Sequence, residues 1–260
     1  MNYKIFIMTK VICLMNQKGG VGKTATTVHL GAFLAEKGFK TLIIDLDAQT
    51  DTTRSLQAVD DNYSAYDLLT DSDKSISFYN HTSSENLFVL VGNRNIKEIA
   101  YKKNMLVDKI NLLKKYFDYI LIDCNPHLIE FNRVTLNEVV LTASDFVVIP
   151  TESDPNSIYD TNLFIPDVLK VKQNNNPKLV LLGVLFSKVE VNTKLFREAF
   201  FDFQNVAKDL VFESYIRKDE KMRHSQLNGQ TIFEFDRKSN ASLDFIDFGN
   251  EFLNKIKKYE

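Results

Sequence analysis

One stretch, Gln17-Lys18-Gly19-Gly20-Val21-Gly22-Lys23-Thr24, limits what this chain can fold into more than any other. An apolar run at residues 11–15 leads straight into it, and a segment with helical spacing begins at Ala25. Strand, glycine loop, helix is the context in which a backbone wraps a phosphate group. Glycines let N–H groups converge on phosphate oxygens without Cβ clashes, and the helix N-terminus adds positive potential. Gly19, Gly20, Val21, Gly22 and Ala25 then supply backbone around the phosphates, Lys23 reaches the β- and γ-phosphates, and the Thr24 hydroxyl ligates Mg²⁺. The loop departs from G-x-x-x-x-G-K-[ST] in one respect. Gln17 stands where that pattern starts with glycine, and an extra lysine, Lys18, follows it.

The remaining periodicities repeat the strand-then-helix theme. Residues 25–34 read as a helix stopped by Gly38, and residues 41–47 as a strand. Its unbroken apolar character, without alternation, predicts a parallel strand covered on both faces. Residues 50–61 read as a loop, 65–69 as a short helix, 71–84 as a serine-rich surface excursion, 87–91 as a strand and 96–116 as one long amphipathic helix. Strands follow at 119–123, 146–150, 179–186 and 211–216, and helices at 135–142, 156–172, 193–210 and 242–258, with Pro166 expected to break or kink its helix. No repeat or low-complexity linker divides the chain. The expected fold class is therefore α/β, a doubly wound, mainly parallel sheet with helices on both faces, in a single domain over residues 1–260 with an irregular extension at 1–9.

Two strands end in carboxylates. Thr41-Leu42-Ile43-Ile44-Asp45-Leu46-Asp47 carries two, and Tyr119-Ile120-Leu121-Ile122-Asp123 carries one. Open parallel sheets bind ligands at the C-terminal strand edge, so Asp123 and the glycine loop can meet around one Mg²⁺. Paired carboxylates at a strand end also cap turns, which is the plainer reading of Asp45.

Composition removes several alternatives. A net charge of −2 gives no global basic field, so any nucleic-acid binding must come from a local patch. Cys13 and Cys124 are too few and too far apart for a disulfide framework or zinc site, and both read as small buried hydrophobes. No apolar stretch reaches the roughly 18 residues of a membrane span, and the run at residues 5–8 is too short for a signal sequence. The expected location is cytoplasmic.

Taken together, the glycine loop and the following Asp45-Leu46-Asp47-Ala48-Gln49 resemble the ParA/MinD family of deviant Walker ATPases, with the plasmid- and chromosome-partitioning ParA branch the nearer match. The likeness extends to Thr135-Leu136-Asn137 and to the segment from Ile216 to Ser242. It implies an ATPase that uses ATP and Mg²⁺, forms a homodimer when ATP is bound, coats DNA without sequence preference and is stimulated by a ParB-like centromere-binding partner. Such a protein would be nucleoid-associated. Lys18 resembles the signature lysine that crosses the dimer to the partner's phosphates, which together with Lys23 makes it catalytic. The plainer alternative is a solvated lysine beside the loop. Asp47 matches the carboxylate that positions the attacking water; Asp45, Asp123 and Thr24 match the metal side. Asp219 falls where the family has an adenine-contacting asparagine. Lys221 aligns with an arginine implicated in DNA binding, with Arg217, Lys218 and Arg223 around it; a solvated surface loop explains the same charges. Lys194 and Arg197 are candidates to extend that patch.

Three departures each replace a family proline: Ala48 after the Asp45/Asp47 pair, Asn125 after Asp123, and Arg217 just before the segment that resembles the adenine contact. Few residues precede the loop, so the operator-binding helix-turn-helix of some ParA proteins is not expected. The alternative function is a MinD-like membrane-associated ATPase, which would use Phe245, Phe248, Phe252 and Ile256 as a lipid-facing stripe. The same spacing is also that of core packing. An iron-protein-like redox enzyme is disfavoured, because neither cysteine is placed to ligate a cluster.

Overall fold

The computed structural model describes residues 8–259. Its strands are β1 (Lys10–Leu14), β2 (Thr41–Leu46), β3 (Tyr79–Asn80), β4 (Leu87–Leu90), β5 (Tyr119–Cys124), β6 (Phe146–Thr151) and β7 (Val180–Phe186). They form a seven-stranded sheet in the order β3-β4-β2-β5-β1-β6-β7. Every pairing is parallel except the short β3 edge. The helices are α1 (Lys23–Glu36), α2 (Asp51–Ser55), α3 (Ala65–Thr70), α4 (Val107–Leu113), α5 (Leu136–Ala143), α6 (Pro155–Asn174), α7 (Lys194–Ala207), α8 (Lys221–Leu227), α9 (Ile232–Phe235) and α10 (Asn240–Lys257).

Both sheet faces are covered, which is why the strands read as continuous apolar runs. On β1, Val11 and Cys13 join a core with α3, α4, α5 and α6, while Ile12 and Leu14 join the opposite core with α1, α9 and α10. Both cysteines are buried and free. A smaller aromatic cluster around Phe186 and Phe196 seats α7. The expected doubly wound architecture is thus found. Of the extension read at residues 1–9, residues 1–7 lie outside the described residues; Thr9 is buried, its hydroxyl donating to the carbonyls of Lys114 and Phe117, both at 2.6 Å.

Four local expectations are corrected. The single helix at 96–116 is instead a 3₁₀ turn at Arg94–Glu98, an irregular stretch, and α4. The Ile96 carbonyl accepts from Ile99 N–H at 3.1 Å and from the Tyr101 hydroxyl at 2.6 Å, so the α-helical bond from residue 100 has no acceptor. Residues 211–216 form no strand and make a single isolated bridge, Val211 to Val184 of β7, because the N–H groups of Glu213 and Ser214 donate to the Glu251 carboxylate of α10, each at 2.8 Å. The loop at 50–61 contains α2. Pro166 does not break α6, since it and Asn162, whose carbonyl it leaves free, are both exposed to water. Helices α8 and α9 were not anticipated, although Thr231 and Glu234 form a capping box that the sequence spells out.

Candidate nucleotide site

Sheet register builds the site. Leu14 of β1 pairs with Asp123 of β5, and Asp123 pairs with Asp45 of β2, so the glycine loop and three carboxylates reach the same sheet edge. Between β1 and α1 the loop turns on Gly20 and Gly22, at φ 83° and 87°. Gly22 is required twice over: its φ is left-handed, and a Cβ there would stand 2.8 Å from Ser187 Oγ.

A cavity of about 490 Å³ opens over the loop. Gly20, Gly22, Lys23, Thr24 and Ala25 line one end, Asp47 one wall, and Ile216, Arg217, Lys218, Asp219, Met222 and Arg223 the other end. Gly19, Val21 and Lys18 do not line it, although all three belong to the predicted nucleotide-binding stretch. Val21 is buried beneath the loop, its carbonyl accepting from the Ser187 hydroxyl at 2.6 Å. Asp47 also lines a second cavity of about 500 Å³ bounded by Asn125, Pro126 and His127.

The Thr24 hydroxyl donates to Asp123 Oδ2 at 2.8 Å, and Thr52 donates to the same oxygen at 2.8 Å. Asp123 Oδ1 is buried with no partner. A hydroxyl and a carboxylate with an orphaned oxygen beside a phosphate loop suit a hard cation that keeps most of its waters, as Mg²⁺ does. Asp45 is different. Its Oδ2 accepts from Thr53 N–H at 2.9 Å and the Thr53 hydroxyl at 2.6 Å, and its Oδ1 from Asp47 N–H at 3.2 Å. These bonds fold the chain into α2. Burial holds the carboxyl groups of Asp45 and Asp123 above the usual carboxylate range; the Asp47 carboxylate raises both further, and Asp45 also raises Asp123. Among the described residues no cluster of three or more His, Cys, Asp or Glu side chains forms a metal cage.

Lys23 is buried at the loop's centre, its ammonium on the Lys18 carbonyl at 2.8 Å. Burial pulls its pKa down while the carboxylates of Asp123 and Asp47 act the other way. Lys18 points elsewhere. Its ammonium lies 3.1 Å from Asp154 Oδ1 and 2.7 Å from Ser157 Oγ, at the N-terminus of α6. Neither partner was evident from sequence; the Asp154-Pro155 helix start was the available signal.

Around the cavity's other end, the basic residues are mostly paired. Arg217 makes a forked contact with Asp244, at 2.6 Å from Nη2 and 2.9 Å from Nε; Lys218 meets Glu190 at 2.8 Å and Lys221 meets Asp236 at 2.6 Å. Arg223 is exposed and has no ion pair among those of the described residues. Asp219 accepts from the N–H groups of Lys221 at 3.0 Å and Ala241 at 3.2 Å. Lys194 pairs with Glu198 on α7.

A family model described as an AAA domain matches residues 9–181. The chain is 30% identical to the sporulation initiation inhibitor protein Soj of Bacillus subtilis, covering 94% of this chain and 98% of that protein. It is 29% identical to the chromosome-partitioning ATPase Soj of Treponema pallidum, covering 95% and 98%. Among solved structures, cobyrinic acid a,c-diamide synthase from Mycobacterium smegmatis with bound ADP and magnesium superposes with a TM-score of 0.80 at 26% identity, over 97% of each chain.

Proposed function

The chain belongs to the ParA family of P-loop ATPases, and from that premise we propose that it is a partition ATPase whose active site is completed by a second copy of itself. It hydrolyses ATP, with Mg²⁺ as cofactor. Thr24 and Asp123 would hold the metal, which would neutralise charge on the phosphates. Lys23 and the loop N–H groups bind the phosphates, and Asp47 accepts a proton from, and orients, the attacking water.

The observation that carries the proposal is the direction of Lys18. Its ammonium faces Asp154 and Ser157, outside the cavity of its own chain. The Lys18 and Asp154 side chains are 27% and 37% exposed, a setting in which an ion pair contributes only about 0–1 kcal/mol. Little therefore opposes its release to the phosphates of a partner copy, where concentrated negative charge rewards a cation far more.

Nonspecific DNA binding is assigned to Arg217, Lys218 and Arg223, which line the end of the same cavity, and to Lys221 beside them in sequence, and stimulation of hydrolysis to a ParB-like partner. The protein then acts in the cytoplasm on the nucleoid. The three ion pairs there imply that binding phosphates requires exchanging Glu190, Asp236 and Asp244 for DNA. The MinD-like alternative is less well supported, since Phe245, Phe248, Phe252 and Ile256 are buried in the core against α1. A gel-shift series on unrelated DNA sequences, with ATP, ADP or no nucleotide across a salt range, tests the reading. Retention only with ATP, weakening steeply with salt, is expected, and Lys221→Glu should weaken it uniformly and flatten the salt slope by about one unit. Equal retention without nucleotide, or none at low salt, would refute it.

A further inference from the structure

The second cavity, of about 500 Å³, shares Asp47, Gln49 and Pro126 with the first, so these three residues form the partition between them. The partition stands at the phosphate end of the nucleotide site. Pro126 rests on the glycine loop, 3.9 Å from where a Cβ on Gly19 would be, and the Asp47 carboxylate acts on the Lys23 ammonium. A phosphate split from ATP is thus released beside this partition, with ADP still occupying the first cavity.

Beyond the partition the chemistry suits an anion that carries protons. The Asn125 side-chain oxygen is buried and has no partner among the described residues, which is costly unless a ligand or water meets it. Asn137 of α5 holds this wall in place, its amide donating to the carbonyls of His127 at 2.6 Å and Asn125 at 3.4 Å. Thr135 and Leu136 bring the positive N-terminal end of α5 to the same cavity. Lys97 and Arg133 line it from the solvent side, both exposed. Glu130 also lines it, but it meets Arg133 Nη2 at 2.5 Å, and Lys97 has no ion pair among those of the described residues. Ala48 lines the cavity too, so two of the three positions at which the chain departs from a family proline face this space.

We propose that the second cavity is the exit for the cleaved phosphate, with Asn125 as its first binding group and Lys97 and Arg133 as the outer ones. The inference deepens the ATPase reading and rests on it. Hydrogen phosphate both donates and accepts hydrogen bonds, and an amide is a side chain that does both in return. The Asp47 carboxylate repels the anion from the partition, while the two cations attract it outward. Ile96, Ile99 and Leu128 give the passage apolar walls, which offer no bonds that would detain the anion.

The test has two measurements. In a single turnover, phosphate formed is followed by acid quench and phosphate freed by a fluorescent phosphate-binding protein. Ala100 is an exposed residue of the cavity, so Ala100→Trp obstructs the passage without entering the core. Formation should be unchanged in that variant, while the delay between formation and release lengthens severalfold. The second measurement is binding of inorganic phosphate to protein saturated with a non-hydrolysable MgATP analogue, whose own γ-phosphate fills the first cavity. Wild type should still bind phosphate. The isosteric Asn125→Asp should weaken it by about tenfold or more, as loss of a hydrogen bond to a charged group predicts, and Lys97→Gln combined with Arg133→Gln should also weaken it. Release that keeps pace with formation in Ala100→Trp overturns the proposal and leaves the ATPase reading standing. So does phosphate binding that the analogue abolishes or that Asn125→Asp does not change. A wild type that forms no phosphate from MgATP overturns the ATPase reading and this inference with it.

Discussion

At the residue scale the site trades stability for chemistry. Asp123 is buried with an unpartnered oxygen, so its charge costs the metal-free fold. Asp123→Asn should leave the metal-free protein at least as resistant to urea as wild type, while MgATP hydrolysis falls by about 10²-fold or more. A variant that is less stable and still active would contradict this. His29 gives the pH dependence. Burial pushes its pKa down to about 3; its Nδ1 accepts from Ile232 N–H at 3.3 Å and its Nε2 has no partner. A group whose folded pKa lies below its unfolded value stabilises fully above the unfolded value, about 6.5, and loses that contribution as pH falls toward 3. One such proton changes stability by up to ~1.4 kcal/mol per pH unit. Asp45 and Asp123, raised by burial, act with the opposite sign, but they are common to wild type and His29→Gln. The difference in unfolding free energy between those two proteins should therefore shrink as pH falls from 6.5 to 4; a constant difference would exclude His29 as the cause.

At the element scale, α10 decides between a core helix and a lipid-facing one. Phe248 is fully buried against Phe212 and Phe252, and a Cβ on Gly249 would enter the Phe33 ring of α1. Phe248→Ala should cost about 3–5 kcal/mol in denaturant unfolding, and Gly249→Ala about 1–3 kcal/mol by overpacking. MgATP should not carry the wild-type protein onto anionic vesicles in a flotation assay; flotation would reinstate the membrane reading of the stripe. This helix shows what sequence can and cannot reveal. The strands, the loop and α10 were legible because continuous apolar runs and helical aromatic spacing report burial directly. The break at residues 96–101 was not, because it depends on a tyrosine hydroxyl capturing a backbone carbonyl. Nor was α2, where Asp45 captures the N–H and hydroxyl of Thr53 from across a turn. The same limit hid Asp154, Ser157 and Ser187, which join the loop only through the order of β1, β6 and β7 in the sheet.

At the scale of the whole molecule, the parallel register brings the loop, Asp123 and the Asp45/Asp47 pair to one edge, yet leaves Lys18 turned toward α6. The nucleotide cavity has a cation from the loop's centre and none from its start. A second copy that delivers Lys18 would complete the site and make ATP part of the interface, so that nucleotide state sets the oligomer. Sedimentation of the Asp47→Ala protein, which should bind MgATP without consuming it, measures this most directly. Dimers with MgATP, monomers with MgADP, and monomers under both conditions once Lys18→Ala is added are the predicted result. A monomer in MgATP, or a dimer that persists in MgADP or without Lys18, would contradict the account.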